Sequence, residues 1–264
     1  MWEGAQIGNS TYNSLQVKLQ HQFSKGLFLL SSYTWSKAIS DGGSSFGAFF
    51  GNNARDSYNR KLEKALSATN LPHRLSVAFN YELPIGPGKT LARNARGIAG
   101  RLLEGWQLNG VLNYQPGDPL AVSMNNNLPL FNFCPNNSFS PCQMPNIVPG
   151  VSQKLDTSNF DPGKGNRYLN PSAFEVPAPY TYGNAPRNLG TRGFAYYNEN
   201  LGLMKRTYFF GEKANFELRF EMFNVFNRHQ FGGINTNLSD PSNFGLVSGA
   251  SGHREGQIAA KINF

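Results

Sequence analysis

Residues 214–226 read ANFELRFEMFNVF, and the alternation inside this stretch decides the fold. Phe216, Leu218, Phe220 and Met222 occupy every second position, with Asn215, Glu217, Arg219 and Glu221 between them. Successive side chains of an extended strand point to opposite faces, so this spacing predicts a strand with one apolar and one charged face. The same signature recurs outward. The chain closes on 256–264 (GQIAAKINF), where Ile258, Ala260, Ile262 and Phe264 alternate with Gln257, Ala259, Lys261 and Asn263. Upstream, 197–208 (YNENLGLMKRTY) gives a weaker strand, whereas 106–115 (WQLNGVLNYQ) and 73–83 (HRLSVAFNYEL) alternate cleanly. Nearest the N-terminus, 12–23 (YNSLQVKLQHQF) and 27–37 (LFLLSSYTWSK) flank Ser24-Lys25-Gly26, a short turn with glycine where a positive φ is needed. The expected fold class is therefore all-β: an antiparallel up-and-down meander of about seven long strands.

These strands are too long for an ordinary sheet. Globular strands centre on about five or six residues, whereas a strand crossing a bilayer at a tilt needs about 9–11. The connections alternate as well: a short turn or a compact segment is followed by a long loop, at 38–72, 120–196 and 227–255. The compact segment 89–104 carries Lys89, Arg93, Arg96 and Arg101 and reads as a short basic helix or turn; a weak helical pattern lies around Lys61–Leu66. Short turns at one end and long loops at the other are the asymmetry of an outer-membrane barrel.

Composition narrows the field further. Only 15% of the 264 residues are charged, against about 25% in a typical globular chain. Asparagine takes their place, with 31 residues against 16 Asp plus Glu. Mean hydropathy is −0.42, and no segment approaches the ~20 apolar residues of a membrane helix. The 21 Phe and 11 Tyr argue against intrinsic disorder. The net charge of +8 is spread along the chain without a basic run, which argues against nucleic acid and suits anionic lipid or lipopolysaccharide. The opening residues, Met-Trp-Glu-Gly-Ala-Gln, lack the basic and apolar regions of a signal peptide, so either the protein is cytosolic or the chain begins partway through a longer one, and the strand pattern favours the second.

Several stretches carry a resemblance. They are GNSTYNSLQ (8–16), SYTWSK (32–37), HRLSVAFNYELPIGPGK (73–89) and GWQLNGVLNYQPGDP (105–119), followed by NPSAF (170–174), GNAPRNLGTRG (183–193), RFEMFNVFNRHQF (219–231) and the terminal 257–264. In this order they resemble the C-terminal part of a bacterial TonB-dependent outer-membrane receptor, of the branch with an N-terminal carboxypeptidase-regulatory-like domain. The resemblance implies a 22-stranded transmembrane β-barrel of which this chain supplies the last seven strands. It implies localisation in the bacterial cell outer membrane, with 38–72, 120–196 and 227–255 outside the cell and the short turns in the periplasm. The implied partners are outer-membrane lipid and lipopolysaccharide, a plug domain and remaining strands absent from this chain, the TonB complex acting through the absent part, and the barrel assembly machinery. The last would read the terminal strand with Ile258, Ala260, Ile262 and Phe264. Seven strands fall short of the smallest known barrel, which has eight, so a fragment is expected.

On this topology Phe216, Leu218, Phe220 and Met222 face lipid, and Glu217, Arg219 and Glu221 form a charge ladder facing the lumen and its plug. Tyr33 and Trp35 near outer strand ends, and Tyr81 and Trp106 near inner ones, fit two interfacial girdles. Cys134 and Cys142, in an external loop, are expected to form a disulfide. No enzyme is expected: GxSxG, Walker and CxxC motifs are absent, His21, His73, His229 and His253 lack ligand spacing, and the glycine-rich 183–193 follows no strand–helix unit. The expectation is energy-coupled uptake of a scarce ligand, without catalytic residue, metal or cofactor. The alternatives are a passive porin-type channel and a secreted β-sandwich adhesin or carbohydrate-binding module.

Overall fold

The computed structural model describes residues 8–24, 26–41, 56, 59–125, 143–209 and 214–264. Seven long strands build one antiparallel sheet: β1 (Ser10–Phe23), β2 (Leu27–Ser40), β4 (His73–Glu82), β5 (Trp106–Gln115), β8 (Tyr196–Phe209), β9 (Ala214–Phe223) and β12 (Glu255–Asn263). Their spatial order is their chain order, so each strand pairs with the long strand before and after it. Two-residue β3 (Ala65–Leu66) pairs with the Ser40 end of β2, and α1 (Gly97–Leu103) lies between β4 and β5. The long connections hold β6 (Asn146–Ile147) paired with β7 (Phe174–Glu175), and β10 (Gln230–Ile234) paired with β11 (Val247–Ser251).

Register preserves the alternation of every strand across the whole sheet. Leu15 and Val17 of β1 stand opposite Trp35 and Tyr33 of β2, and Tyr33 opposite Leu75 of β4. Val77 and Tyr81 meet Leu112 and Leu108 of β5, Leu108 meets Leu203 of β8, and Leu203 meets Phe220 of β9. Phe216, Leu218 and Phe220 end the row against Ile262, Ala260 and Ile258 of β12. A one-residue slip anywhere would carry a strand's apolar residues to the wrong face, so this agreement fixes the register. Aromatics rim the apolar face: Trp35, Tyr114 and Tyr197 toward the long loops, Phe23, Tyr81 and Trp106 toward the short turns. Ten-residue strands such as β4 and β5 reach about 33 Å, enough to cross a hydrocarbon layer when tilted.

The strand expected over 214–226 ends at Phe223. Asn224 takes φ +49°, a left-handed conformation that asparagine tolerates and a ladder does not, and the chain turns there. β2 runs on to Ser40 instead of stopping at 37, because β3 and the bond from Ala38 N–H to the Asn70 side chain (2.7 Å) extend its pairing. Around Lys61–Leu66 the weak helical pattern resolves into a 3-10 turn (Arg60–Glu63) followed by β3.

The buried core lies in the long connections and not in the sheet. Val122, Tyr168, Leu169, Ala173, Phe174, Leu189 and Phe244 are buried together, with Leu120, Phe160, Phe194 and Ile234 packed around them. Two connections, 116–195 and 224–254, thus share one apolar centre at the same end of the sheet.

Candidate functional site

The polar face presents the candidate interior. Glu217 is only 4% exposed and lies between two arginines: Arg206 of β8 reaches its Oε2 (3.2 Å), and the Arg219 guanidinium grips its Oε1 through Nε (2.8 Å) and a terminal nitrogen. Arg206 and Glu217 are cross-strand partners, so the register itself brings the pair together. Glu221 accepts from the Gln257 side chain of β12. Glu217, Arg219 and Glu221 share one face of β9, and Glu217 is neutralised within the wall by Arg206, a residue the sequence reading did not include. No motif flags Arg206; only the pairing of β8 with β9 does.

Toward the middle of this face a recess of about 400 Å³ is lined by Phe28, Asn80, Asn109, Val111, Asn200 and Glu221 among others. Gly202 makes part of this floor: a Cβ there would stand 2.2 Å from the Asn109 side-chain oxygen, so only glycine lets Asn109 lie flat across β8.

The segment FNVFNR (223–228) is a corner. Asn224 is buried; its side-chain amide donates to the Arg228 (3.0 Å) and Gly252 (2.7 Å) carbonyls, and its oxygen accepts from the Arg228 N–H (2.9 Å). Asn227, also at positive φ (+51°), accepts from the Arg254 N–H. Arg228 Nε then donates to both carboxylate oxygens of Glu199, 2.9 Å each. Glu199 is 1% exposed and sits on the apolar side of β8 opposite Leu112. The Glu199 bond holds the Arg228 guanidinium even more firmly protonated than usual.

Above the sheet, the glycine-rich 183–193 works as an inter-loop staple. Arg187 donates to the Ser40 and Glu63 carbonyls, Asn188 to the Leu66 carbonyl (2.7 Å), and Arg192 to the Asn70 (2.6 Å) and Gly117 (3.1 Å) carbonyls. Arg167 likewise holds the Pro241, Ser242 and Phe244 carbonyls. Two neighbouring recesses open in this cap. One, of about 400 Å³, is lined by Lys154, Tyr168, Thr191 and Arg192; the other, of about 340 Å³, by Ser158, Phe160, Tyr197, His229 and Phe231. Phe194 borders both.

The remaining sequence-derived positions are scattered. Phe216, Leu218, Phe220 and Met222 share the apolar face with Ile258, Ala260 and Ile262, and Phe264 is fully exposed at the end of β12. His73 takes up the Tyr33 hydroxyl (2.8 Å), His253 pairs with Glu255, and His229 borders Phe231. Cys134 and Cys142 fall outside the described residues. Among the described residues, no three His, Cys, Asp or Glu side chains gather.

An open antiparallel wall with an aromatic-rimmed apolar face and a hydrogen-bonding opposite face belongs to the class of membrane-spanning β-barrels. Residues 1–257 match the family described as the outer membrane beta barrel domain, and the chain belongs to that family. It is thereby a protein of the bacterial outer membrane. Neither the curated proteins nor the solved structures gave a match.

Proposed function

We propose that this chain forms the C-terminal wall of a plugged, TonB-dependent outer-membrane receptor that takes up a scarce ligand at the expense of inner-membrane energy. The apolar face turns to lipid, the polar face to the lumen, and the capped connections lie outside the cell, as short periplasmic turns and longer external loops require. The observation that carries this reading is the polar face, where Arg219 and Glu221 stand beside the enclosed Glu217 and give an internal domain charges to dock against. The sequence resemblance supports the plug and the TonB coupling. Further strands join the open edges of β1 and β12, since an unpaired edge in lipid costs several kcal/mol for each unsatisfied group. On this reading the protein binds and admits its ligand and performs no catalysis.

The experiment places single cysteines at 216, 218 and 220, and at 217, 219 and 221, in the complete outer-membrane protein with Cys134 and Cys142 replaced by serine. A lipid-confined reagent reacts with the first set only. A bulky water-soluble maleimide reacts at 219 and 221 only while the inner membrane is energised, because an internal domain covers them at rest. Full reaction regardless of energy state would mean a passive channel and would overturn the receptor reading.

A further inference from the structure

The segment joining β4 to β5 forms a compact foot at the short-turn end of the wall. Its first half is tied by the Gly86 N–H to the Leu91 carbonyl (2.9 Å) and the Leu91 N–H to the Pro84 carbonyl (2.8 Å); its second half is α1. Two side chains that leave the sheet on its apolar side hold the helix. The Trp106 indole N–H donates to the Leu102 carbonyl (2.9 Å), and the Lys205 ammonium donates to the Arg101 (2.8 Å) and Glu104 (2.7 Å) carbonyls. Trp106 and Lys205 face each other in the β5–β8 register, with the ammonium 5.3 Å from the indole centroid. Positive φ at Gly105 lets the chain pass from α1 into β5 so closely that a Cβ would stand 2.0 Å from the Arg206 carbonyl. The foot therefore stands outward, on the apolar side, and not beneath the lumen.

What the foot shows there is apolar and basic together. Ile98 is 81% and Leu102 61% exposed, four residues apart and so on one face of α1. Arg93, Arg96 and Arg101 belong to the same segment, two before the helix and one within it, and among the described residues no carboxylate pairs with any of the three, whereas Lys89 is satisfied by Glu82 at 2.9 Å. A seven-residue helix is too short to hold itself in water, so its stability comes from what it lies against.

We propose that this foot is an interfacial anchor for anionic phospholipid of the periplasmic leaflet. Ile98 and Leu102 enter the acyl boundary, continuing the apolar belt of the wall past Trp106, while Arg93, Arg96 and Arg101 take the phosphates of the headgroups. The inference rests on the apolar face turning to lipid.

The test reconstitutes the complete protein, with Cys134 and Cys142 replaced by serine, in phosphatidylcholine vesicles with and without phosphatidylglycerol. Nitroxide labels at Ile98→Cys and Leu102→Cys should collide more with oxygen than with a water-soluble nickel chelate, as a label at Leu218→Cys does on the wall. Labels at 98 and 102 reached mainly by the chelate, with 218 in lipid, would overturn the anchor alone; chelate access at all three would remove the lipid-facing assignment as well. Spin-labelled phosphatidylglycerol should associate with the protein in preference to phosphatidylcholine. Replacing Arg93, Arg96 and Arg101 by glutamine should cut that preference by about fivefold per arginine, the factor that corresponds to ~1 kcal/mol per basic residue near an anionic surface. Equal association of the two lipids with the unaltered protein, or a preference unmoved by the three substitutions, would refute the phosphate contacts. Heat-modifiable gel mobility serves as the folding control for every variant.

Discussion

Removing Arg228 should cost far more than neutralising its partner, although both substitutions break the same ion pair. Glu199 is 1% exposed and Arg228 44% exposed at its side chain. Arg228→Met leaves the carboxylate buried on the apolar side of β8 without its ion-pair partner. Breaking a buried pair in this way costs roughly 3–5 kcal/mol, and the partial access of water at Arg228 places this case near ~3 kcal/mol. Glu199→Gln keeps an oxygen for the Arg228 Nε–H and leaves a guanidinium that water already reaches, so its cost is about 1 kcal/mol. Replacing both by Leu and Met should recover most of the loss, since the pair's own attraction roughly offsets its desolvation. The assay is urea unfolding of the complete protein in lipid vesicles, followed by tryptophan fluorescence and by heat-modifiable gel mobility. The expected order is Arg228→Met least stable, then Glu199→Gln, with the double variant at or above Glu199→Gln. If Arg228→Met costs no more than Glu199→Gln, the corner at 224–228 is not held by a buried carboxylate and the reasoning fails.

Other outcomes follow from the same geometry. Leu218→Arg puts a charge mid-strand on the apolar face and directly opposite Lys205, so folding should weaken by about 2–4 kcal/mol, whereas Glu217→Gln leaves two half-exposed arginines and should change unfolding by less than ~1 kcal/mol; equal effects in urea titrations would contradict this. Deleting Phe264 from the complete protein should lower its amount in the outer membrane, read by surface labelling, with degradation in the periplasm. Mass spectrometry of non-reduced protein should find Cys134 and Cys142 in one linked peptide, a crosslink that closes about nine residues and stabilises by roughly 2–3 kcal/mol; two freely alkylated thiols would refute it. Hydrogen bonds from Asn243, Ser242 and Asn235 hold the Asp240 carboxyl below its usual range, so its contribution is complete above the ordinary carboxylate range and vanishes as pH falls through the lower folded value. Amide exchange over 235–245 should accelerate in that acidic window, and Asp240→Ala should abolish the change.

The wall was legible in the sequence because a sheet with one lipid-grade face writes period 2 into every strand, as Leu15, Val17 and Leu19 or Phe216, Leu218 and Phe220 do. β8 read weakly for a physical reason: Glu199 and Lys205 lie on its apolar face, and each is tolerated only through partners remote in sequence, Arg228 for one and the α1 carbonyls for the other. The end of β9 was misread by three residues because Val225 and Phe226 prolong an apolar run that the backbone of Asn224 has already broken. The cap left no periodic trace at all. Its loops are held by single side chains bonding to distant carbonyls, Arg167 to 241–244 and Arg187 to Ser40, and such bonds follow no spacing that a sequence displays. The basic character of 89–104 was plain, but which side of the wall it occupies became visible only through Trp106 and Lys205.

The shared centre of the cap has a consequence for how the protein matures. Tyr168 and Leu169 come from the connection before β8, and Phe244 from the one before β12, so the cap's buried packing needs residues delivered by two separate hairpin crossings. Every strand pairs with its sequence neighbour and can zip in turn, but the cap must wait until β9 and the residues after it have crossed. Its closure is thus a completion signal: protease resistance at 143–195 should arise last, after the sheet is already resistant, and a nascent wall stalled before β9 should display that segment as cleavable chain.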